Sequence, residues 1–341
     1  MLLQRLARPG LTAVPLAASR RAYSVVSPLA YDLHEPPKPK FDEKHSPILF
    51  LHGLFGSKKN NRAMSKYVIL THSLTPTERR TQLTPKTRAL ARDLGRHVYA
   101  LDLRNHGESP HHRRHDYDVM AADVAHFIRD HGLRDTSIIG HSMGAKTAMA
   151  LALTQPDLVA DIASVDNAPV DKILGQDFAR YVRGMRRIEE AGVTRQSEAD
   201  AILAEYEESL PIRQFLLGNL HRPAGGDPAQ GQKFRVPLEI LGRALDNMGD
   251  FPHRDPAKVR FEKPALFVRG TKSKYVPDEV LPLIGQFFPR FQLVDIEAGH
   301  WVISENPEPF RQGKLHTNFI FLRRYADHTL PAIVEFLTPS E

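Results

Sequence analysis

The chain contains no cysteine and no long apolar run. The absence of cysteine excludes disulfides, thiolate zinc sites, iron–sulfur clusters and cysteine nucleophiles, so any covalent catalysis must use another side chain. No uninterrupted apolar stretch approaches the roughly 20 residues that a membrane-spanning helix needs, so we expect no transmembrane segment. With 341 residues, 41% of them hydrophobic, the chain is long enough to form one large domain with an insertion.

Acidic residues are also missing from residues 1–23, which carry Arg5, Arg8, Arg20 and Arg21 among leucines, alanines and valines. This composition is typical of a transit peptide, and the end of the segment resembles a mitochondrial processing site. We therefore predict a cleaved targeting segment and a location in the mitochondrial matrix. The alternative is a disordered basic tail.

The formal net charge of +6 does not indicate a nucleic-acid partner. Residues 1–23, 67–88 and 313–332 together carry more than this whole positive charge, so the rest of the chain is net negative. A basic face for binding nucleic acid is therefore not expected.

From about residue 47, short apolar runs alternate with loops and helical stretches, which predicts a mostly parallel sheet flanked by helices. The predicted strands are residues 47–51, 97–103, 136–139, 162–165, 264–268 and 291–296. In open sheets of this kind, catalytic groups gather at the carboxyl ends of the strands.

A polar, helix-rich interval, residues 169–256, separates the fourth and fifth predicted strands and includes an amphipathic stretch at 198–209. We interpret it as a cap that covers the sheet edge and excludes water, the alternative being a peripheral helical insertion. Residues 225–228 inside it read Gly-Gly-Asp-Pro. They predict a flexible loop rather than a phosphate cradle, because no strand-to-helix context surrounds them.

The strongest catalytic signal is Ser142 in the sequence Gly-His-Ser-Met-Gly, residues 140–144. A predicted strand precedes it and a predicted helix, residues 146–154, follows it. A serine on such a sharp turn adopts strained backbone angles, and the two glycines remove Cβ atoms that would collide with the strand and the helix. We therefore predict that Ser142 is a nucleophile.

A serine nucleophile needs a general base, and His300 follows the last predicted strand, late in the chain. The other histidines are weaker candidates. We expect His52 to stabilise the loop after its strand, and a second set to be solvated in a polar loop. That set is His106, His111, His112 and His115.

The third member of a triad is predicted partly from an absence. Residues 269–274, after the predicted strand 264–268, contain no carboxylate, although catalytic serine sites of this kind usually place their acid there. One strand earlier, residues 162–165 end directly at Asp166, which we predict to orient His300. Asp171 and Asp278 remain alternatives.

Two backbone amides are expected to stabilise the oxyanion: that of Met143, next to the nucleophile, and that of Leu54, with Phe55 as its neighbour. We predict that residues 102–109 form a structural turn without a catalytic role. Since the histidines show no metal-ligand spacing, we predict neither a metal nor a cofactor.

Several stretches, residues 52–58, 102–110, 140–149, 165–170 and 299–301, resemble a known family. It is the mitochondrial α/β-hydrolase domain-containing protein eleven family, with fungal relatives, bacterial YbfF-type esterases and yeast ethanol acetyltransferases. The resemblance implies an α/β-hydrolase fold with a helical cap and an esterase or thioesterase that uses Ser, Asp and His. Ala145 departs from the pattern, which usually has glycine there.

Residues 67–88 and 313–332 do not share this likeness. The codons of Lys66–Val68 and of Gly313-Lys314 can each contain a donor splice signal. Our hypothesis is that both segments are translated, unspliced introns. A mature transcript that contains both would contradict it.

Three functions follow for an α/β-hydrolase domain over residues 24–341. The first is hydrolysis of a small carboxylic ester or thioester through an acyl-serine. The second is transfer of the acyl group to an alcohol such as ethanol. The third is a catalytically silent mitochondrial binding protein that keeps the fold.

Overall fold

A computed structural model describes residues 26–36, 46–59, 96–171, 176–223, 225 and 231–305. The predicted targeting segment, residues 1–23, and both segments without family likeness, 67–88 and 313–332, lie outside these residues. The predictions for them stay predictions.

The main sheet has seven strands in the order β1-β3-β2-β4-β5-β8-β9. Its strands are β1 (Tyr31–His34), β2 (Ile48–Leu51), β3 (Val98–Leu101), β4 (Thr136–His141), β5 (Val159–Val165), β8 (Ala265–Gly270) and β9 (Phe291–Ile296). Only β1 pairs antiparallel, with β3, and every other pair is parallel. Each of the six predicted strands overlaps one of these, so the predicted sheet is confirmed, whereas β1 was not predicted.

Helices cover the sheet and fill the interval between β5 and β8. They are α1 (Tyr117–Asp130), α2 (Met143–Thr154), α3 (Gln176–Glu190), α4 (Gln196–Ala204), α5 (Leu210–Leu217), α6 (Leu238–Arg243), α7 (Leu245–Gly249), α8 (Leu281–Phe287) and α9 (Val302–Glu305). None of the described helices is both long enough and apolar enough to cross a bilayer.

The central strands are buried on both faces. All four residues of β2 and all four of β3 are buried, as expected of strands between two layers of helices. Helix α2 is buried from Met143 to Leu153 and packs on β2, β4 and β5. Ala145, at the position where the family usually has glycine, is fully buried in this helix and its small side chain is accommodated.

The predicted cap interval contains helices α3 to α7 and a small two-stranded sheet, β6 (Leu220–His221) and β7 (Lys233–Phe234). The amphipathic stretch at 198–209 is only partly helical, since α4 ends at Ala204 and the chain turns before α5 begins at Leu210. Helix α3 packs against α4, α6 and β7, so the elements of the predicted cap interval pack against one another.

The parallel register places the carboxyl ends of six neighbouring strands, from β3 to β9 in the sheet order, at one edge of the sheet. Leu51 of β2 pairs with Gly140 of β4, and His141 pairs with Val165 of β5. Val165 pairs in turn with Val268 of β8. The loops after these strands are therefore neighbours, and the predicted catalytic residues lie in them.

Candidate active site

Ser142 occupies the turn between β4 and α2. Its backbone angles, φ 54° and ψ −113°, lie outside the regions that L-residues prefer, so the turn is strained. The flanking glycines permit it. A Cβ atom on Gly140 would lie 2.3 Å from the Gly144 carbonyl oxygen, and one on Gly144 would lie 2.5 Å from the Leu51 carbonyl oxygen.

Ser142, His300 and Asp166 form one chain of hydrogen bonds. The His300 Nδ1 atom lies 2.7 Å from Asp166 Oδ2, and its Nε2 atom lies 2.9 Å from Ser142 Oγ. A carboxylate only accepts hydrogen bonds, so Nδ1 carries the proton and Nε2 is free to accept from the serine hydroxyl. The structure therefore brings the three predicted residues together in the geometry of an activated serine.

Asp166 is fully buried at the end of β5. The Gly270 N–H donates to Oδ1 at 3.0 Å, and the Ser273 hydroxyl donates to Oδ2 at 2.5 Å. The loop after β8 thus has no carboxylate of its own but supplies donors to the carboxylate of the neighbouring strand. Ser273 was not identified from the sequence. The only feature of the sequence that pointed to this loop was its lack of a carboxylate.

The two alternative acids lie elsewhere. Asp171 forms an ion pair with Arg254 and accepts from the Phe251 N–H at 2.8 Å. Asp278, whose side chain is 81% exposed, pairs with Arg269 at 2.5 Å. Among the described residues, only Asp166 of these three aspartates is hydrogen-bonded to the His300 ring.

Two further aromatic side chains hold His300. The Tyr275 ring stacks on the imidazole with centroids 3.8 Å apart and an interplanar angle of 18°. His141 Nε2 donates to the His300 carbonyl oxygen at 2.9 Å. Burial raises the pKa of Tyr275 to about 12 and lowers the pKa of His141 to about 4, so both side chains are neutral at neutral pH. Neither contact was predicted from the sequence.

The two predicted oxyanion donors, the amides of Met143 and Leu54, belong to segments that adjoin Ser142. Met143 is the first residue of α2, and the first amides of a helix have no acceptor within it. Leu54 lies in a turn closed by a hydrogen bond of 2.9 Å from the Gly56 N–H to the Gly53 carbonyl oxygen. The neighbouring Phe55 N–H is already used, since it donates to His106 Nε2 at 3.1 Å. The Phe55 N–H is therefore not available to an oxyanion, and the Leu54 N–H stays the predicted donor.

The loop after β2 directly adjoins the nucleophile. A Cβ atom on Gly53 would lie 3.3 Å from Ser142 Cβ. As predicted, His52 stabilises this loop: its Nδ1 donates to the Gly53 carbonyl oxygen at 2.8 Å and its Nε2 accepts from the Leu103 N–H at 3.0 Å.

The prediction that the histidines of residues 106–115 are solvated is wrong for two of them. His106 and His115 are buried, whereas His111 is exposed and His112 is half-buried. The loop folds inward because its polar groups are hydrogen-bonded to one another. Asn105 Nδ2 lies 3.2 Å from His115 Nδ1, and Asn105 Oδ1 accepts from the His112 N–H at 2.7 Å. The polar residues of this loop are therefore buried and hydrogen-bonded to one another, although their polarity predicts exposure to solvent.

Residues 102–109 form the predicted structural turn. Asp102 accepts from the Lys58 N–H at 2.6 Å and from the Glu108 N–H at 2.9 Å, and its carboxylate is paired with the Lys58 ammonium at 3.1 Å. These bonds tie the turn to the loop after β2. Among the described residues, no group of three or more His, Asp or Glu side chains could hold a metal ion.

Two aromatic side chains of the predicted cap interval, residues 169–256, contact residues near the site. Phe215 of α5 packs edge-on against Trp301, next to His300, with ring centroids 4.5 Å apart. Phe178 of α3 lies 6.2 Å from Phe55, measured between centroids. Aromatic side chains of α3 and α5 therefore contact Phe55, in the loop after β2, and Trp301, next to His300.

Known proteins share this architecture. A family profile described as "alpha/beta hydrolase fold" matches residues 46–307. A "Probable alcohol acetyltransferase" of Saccharomyces cerevisiae is 41% identical over 274 residues, which cover 76% of this chain and 73% of the relative. An "sn-1-specific diacylglycerol lipase ABHD11" of Xenopus tropicalis is 35% identical over 288 residues, covering 83% and 79%.

A solved structure, "Marine microorganism esterase", superposes with a TM-score of 0.67 at 27% identity and covers 83% of this chain and 97% of its own. The profile spans most of the chain, and the relatives match over more than two thirds of their lengths. The chain belongs to the α/β-hydrolase family.

Proposed function

We propose that this protein is a serine hydrolase that cleaves small carboxylic esters or thioesters through an acyl group on Ser142 Oγ. One observation carries the proposal: the His300 ring joins Ser142 Oγ, at 2.9 Å, to the buried carboxylate of Asp166, at 2.7 Å. This arrangement converts a weakly nucleophilic hydroxyl into an activated one.

The reaction has two halves. His300 Nε2 takes the proton of Ser142 as Oγ attacks the substrate carbonyl, and the same proton then goes to the leaving alcohol or thiol. In the second half, His300 deprotonates a water molecule that attacks the acyl-serine and releases the acid. Asp166 holds the proton on Nδ1 and stabilises the imidazolium that forms in each half.

The amides of Leu54 and Met143 stabilise the negative charge that develops on the carbonyl oxygen. Met143 begins a 12-residue helix, whose N-terminal end carries partial positive charge. Removal of one such donor typically lowers kcat by about 10²–10³-fold, so these amides contribute substantially to catalysis.

The cap forms the wall of the substrate site and excludes water from it. We expect the aromatic pairs Phe215–Trp301 and Phe178–Phe55 to contribute apolar surface near Ser142, which suits an acyl group. The relatives named as a lipase and the structure named as an esterase support an ester as substrate.

A second function uses the same acyl-enzyme. If an alcohol such as ethanol replaces water in the second half, the enzyme transfers the acyl group instead of hydrolysing it. The identity of 41% to a protein named as an alcohol acetyltransferase favours testing this outcome. Both functions place the same roles on the three catalytic residues.

Product analysis separates these functions. Short-chain acyl esters and thioesters are incubated with the protein, with and without ethanol, and the acid and the ethyl ester are quantified. Acid formation that is lost in Ser142→Ala supports hydrolysis, and an ethyl ester that rises with ethanol supports transfer. A folded protein that forms neither product is catalytically silent and contradicts the proposal.

We also propose that the protein is targeted to the mitochondrial matrix, because residues 1–23 combine four arginines with no acidic residue. Fusion of residues 1–30 to a fluorescent protein tests this. Mitochondrial fluorescence that is lost when the four arginines are replaced by glutamine supports it, and cytosolic fluorescence of the unaltered fusion contradicts it.

A further inference from the structure

The peptide groups of Phe55, next to the proposed oxyanion donor Leu54, are held from two directions. The Phe55 N–H donates to His106 Nε2 at 3.1 Å, and the Phe55 carbonyl oxygen accepts from Asn219 Nδ2 at 2.7 Å. His106 belongs to the turn after β3, whereas Asn219 belongs to the cap, between α5 and β6. Both side chains are buried, at 0% and 3% exposure.

This backbone needs to be held because it is strained. Phe55 is the third residue of the turn that the Gly56 N–H closes onto Gly53, and its φ is 60°. Such a position favours glycine, and a bulky aromatic residue rarely adopts this conformation. A strained residue persists only where its surroundings fix it, and here two hydrogen bonds from distant segments do so.

The His106 ring has a fixed tautomer. Its Nδ1 lies 2.9 Å from the Arg104 carbonyl oxygen, which can only accept, so Nδ1 carries the proton and Nε2 is the acceptor for Phe55. Burial and the neighbouring rings of His52 and His115 hold the pKa of His106 well below its usual range, so the ring is neutral at neutral pH.

Asn219 is itself anchored within the cap. Its N–H donates to the Leu216 carbonyl oxygen at 3.1 Å, and its own carbonyl oxygen accepts from the Arg235 N–H at 2.9 Å. The position of its side chain therefore depends on the position of α5 and of the segment before α6. Any movement of this part of the cap away from the sheet would release the Phe55 carbonyl group.

We propose that His106 and Asn219 are positioning residues that fix the oxyanion loop, residues 53–56, and that Asn219 couples the seating of the cap to the oxyanion hole. The inference rests on the proposed function, because it assigns the Leu54 amide to the oxyanion. Neither residue touches the substrate. Each acts by holding the peptide next to Leu54, so the oxyanion hole is complete only when the cap is seated.

A matched pair of variants separates the two hydrogen bonds of His106. Glutamine places an amide oxygen near the position of Nε2 and can still accept from Phe55, whereas asparagine reaches only the position of Nδ1 and can bond Arg104 alone. His106→Gln should keep kcat within about threefold of the wild type. His106→Asn should lower kcat about 10–100-fold with KM within about twofold, which is part of the loss for a missing oxyanion donor.

A second pair tests the contribution of the cap. Asn219→Asp keeps the shape of the side chain but replaces the donor with an acceptor that faces the Phe55 carbonyl oxygen. Tyr117→Phe is the control, since it removes another buried hydrogen bond between the core and the cap interval, from the Tyr117 hydroxyl to the Met248 carbonyl oxygen at 2.9 Å. We expect kcat to fall about tenfold or more in Asn219→Asp and to change less than twofold in Tyr117→Phe.

Two readouts are needed: kcat and KM on a short-chain acyl ester, and amide hydrogen exchange of the peptide that spans residues 52–58. If the proposal is right, the variants that lose kcat, His106→Asn and Asn219→Asp, also show faster exchange of this peptide. His106→Gln and Tyr117→Phe do not. The proposal would be overturned if the two variants of each pair had equal kcat values and equal exchange rates for this peptide. If one variant fails to fold, the other pair still decides.

The exchange readout does not depend on turnover. Wild-type protein that lacks activity would refute the proposed function, while exchange would still show whether residues 53–56 are held by the two side chains. Active wild-type protein with unchanged variants would instead refute this inference alone.

Discussion

Replacement of Asp166 by asparagine keeps the shape of the side chain, replaces one carboxylate oxygen with an NH₂ group and removes the negative charge. Asparagine tolerates the left-handed backbone conformation that Asp166 adopts, with φ 53°, so the turn is expected to survive. The amide must choose an orientation. With its oxygen towards the Gly270 N–H, which now donates to Oδ1 at 3.0 Å, its NH₂ group faces His300.

In that orientation the NH₂ group can only donate to Nδ1, so the proton moves to Nε2 and His300 can no longer accept from Ser142. The opposite orientation sets two donors, NH₂ and the Gly270 N–H, against each other. Both orientations are unfavourable for catalysis. In a serine protease, the equivalent change of tautomer lowers kcat by about 10⁴-fold, which corresponds to about 5.4 kcal/mol of activation free energy.

The assay compares kcat for a short-chain acyl ester in Asp166→Asn and Asp278→Asn, with thermal unfolding to show that both variants are folded. Asp278 is exposed and paired with Arg269, so its variant should stay within about twofold of the wild type. A loss of less than about tenfold in Asp166→Asn, or similar losses in both variants, would refute the role given to Asp166.

Three further outcomes follow from the same contacts. Ser273→Ala should lower kcat about tenfold without unfolding the protein, because the carboxylate of Asp166 keeps its other donors; unchanged kcat would show that the 2.5 Å hydrogen bond is not used in catalysis. Tyr275→Leu should lower kcat two- to fivefold, since the stacked ring stabilises the imidazolium of His300 by about 0.5–1 kcal/mol, whereas Tyr275→Phe keeps the stack; equal losses in both variants would mean that the hydroxyl matters instead. Burial lowers the pKa of His115 to about 3 in the folded state, against about 6.5 unfolded, so the unfolded chain binds this proton first as the pH falls. The free energy of unfolding should therefore lose about 1.4 kcal/mol per pH unit through this residue as the pH falls from 6.5 towards 3. When the free energy of unfolding, measured by urea titration, is plotted against pH, His115→Gln should give a shallower slope than the wild type in this window; parallel plots would contradict a lowered pKa for His115.

The sequence was most informative where signals are local. The glycines around Ser142 are required by close backbone contacts within one turn, and the six parallel strands appear as continuous apolar runs. The missing carboxylate after β8 was also useful, because it directed attention to Asp166 one strand away. These features depend on residues that are close in sequence or on the order of strands.

Contacts between loops could not be predicted in the same way. Ser273 and Asp166 are separated by 107 residues, and Asn219 and Phe55 by 164, so only the folded sheet and cap bring them together. Strand β1 has only four residues and pairs antiparallel at the sheet edge, so it lacks the apolar run that marks the central strands. His106 was misread because its neighbours are polar, although they satisfy one another in a buried network.

The central claim is that Ser142 is the activated nucleophile. Reaction with a fluorophosphonate probe, followed by peptide mapping of the adduct by mass spectrometry, tests it most directly. We expect one adduct per molecule on Ser142 in the wild type, much slower labelling in His300→Ala, and no adduct in Ser142→Ala. A folded wild-type protein that stays unlabelled, or an adduct that persists in Ser142→Ala, would contradict it.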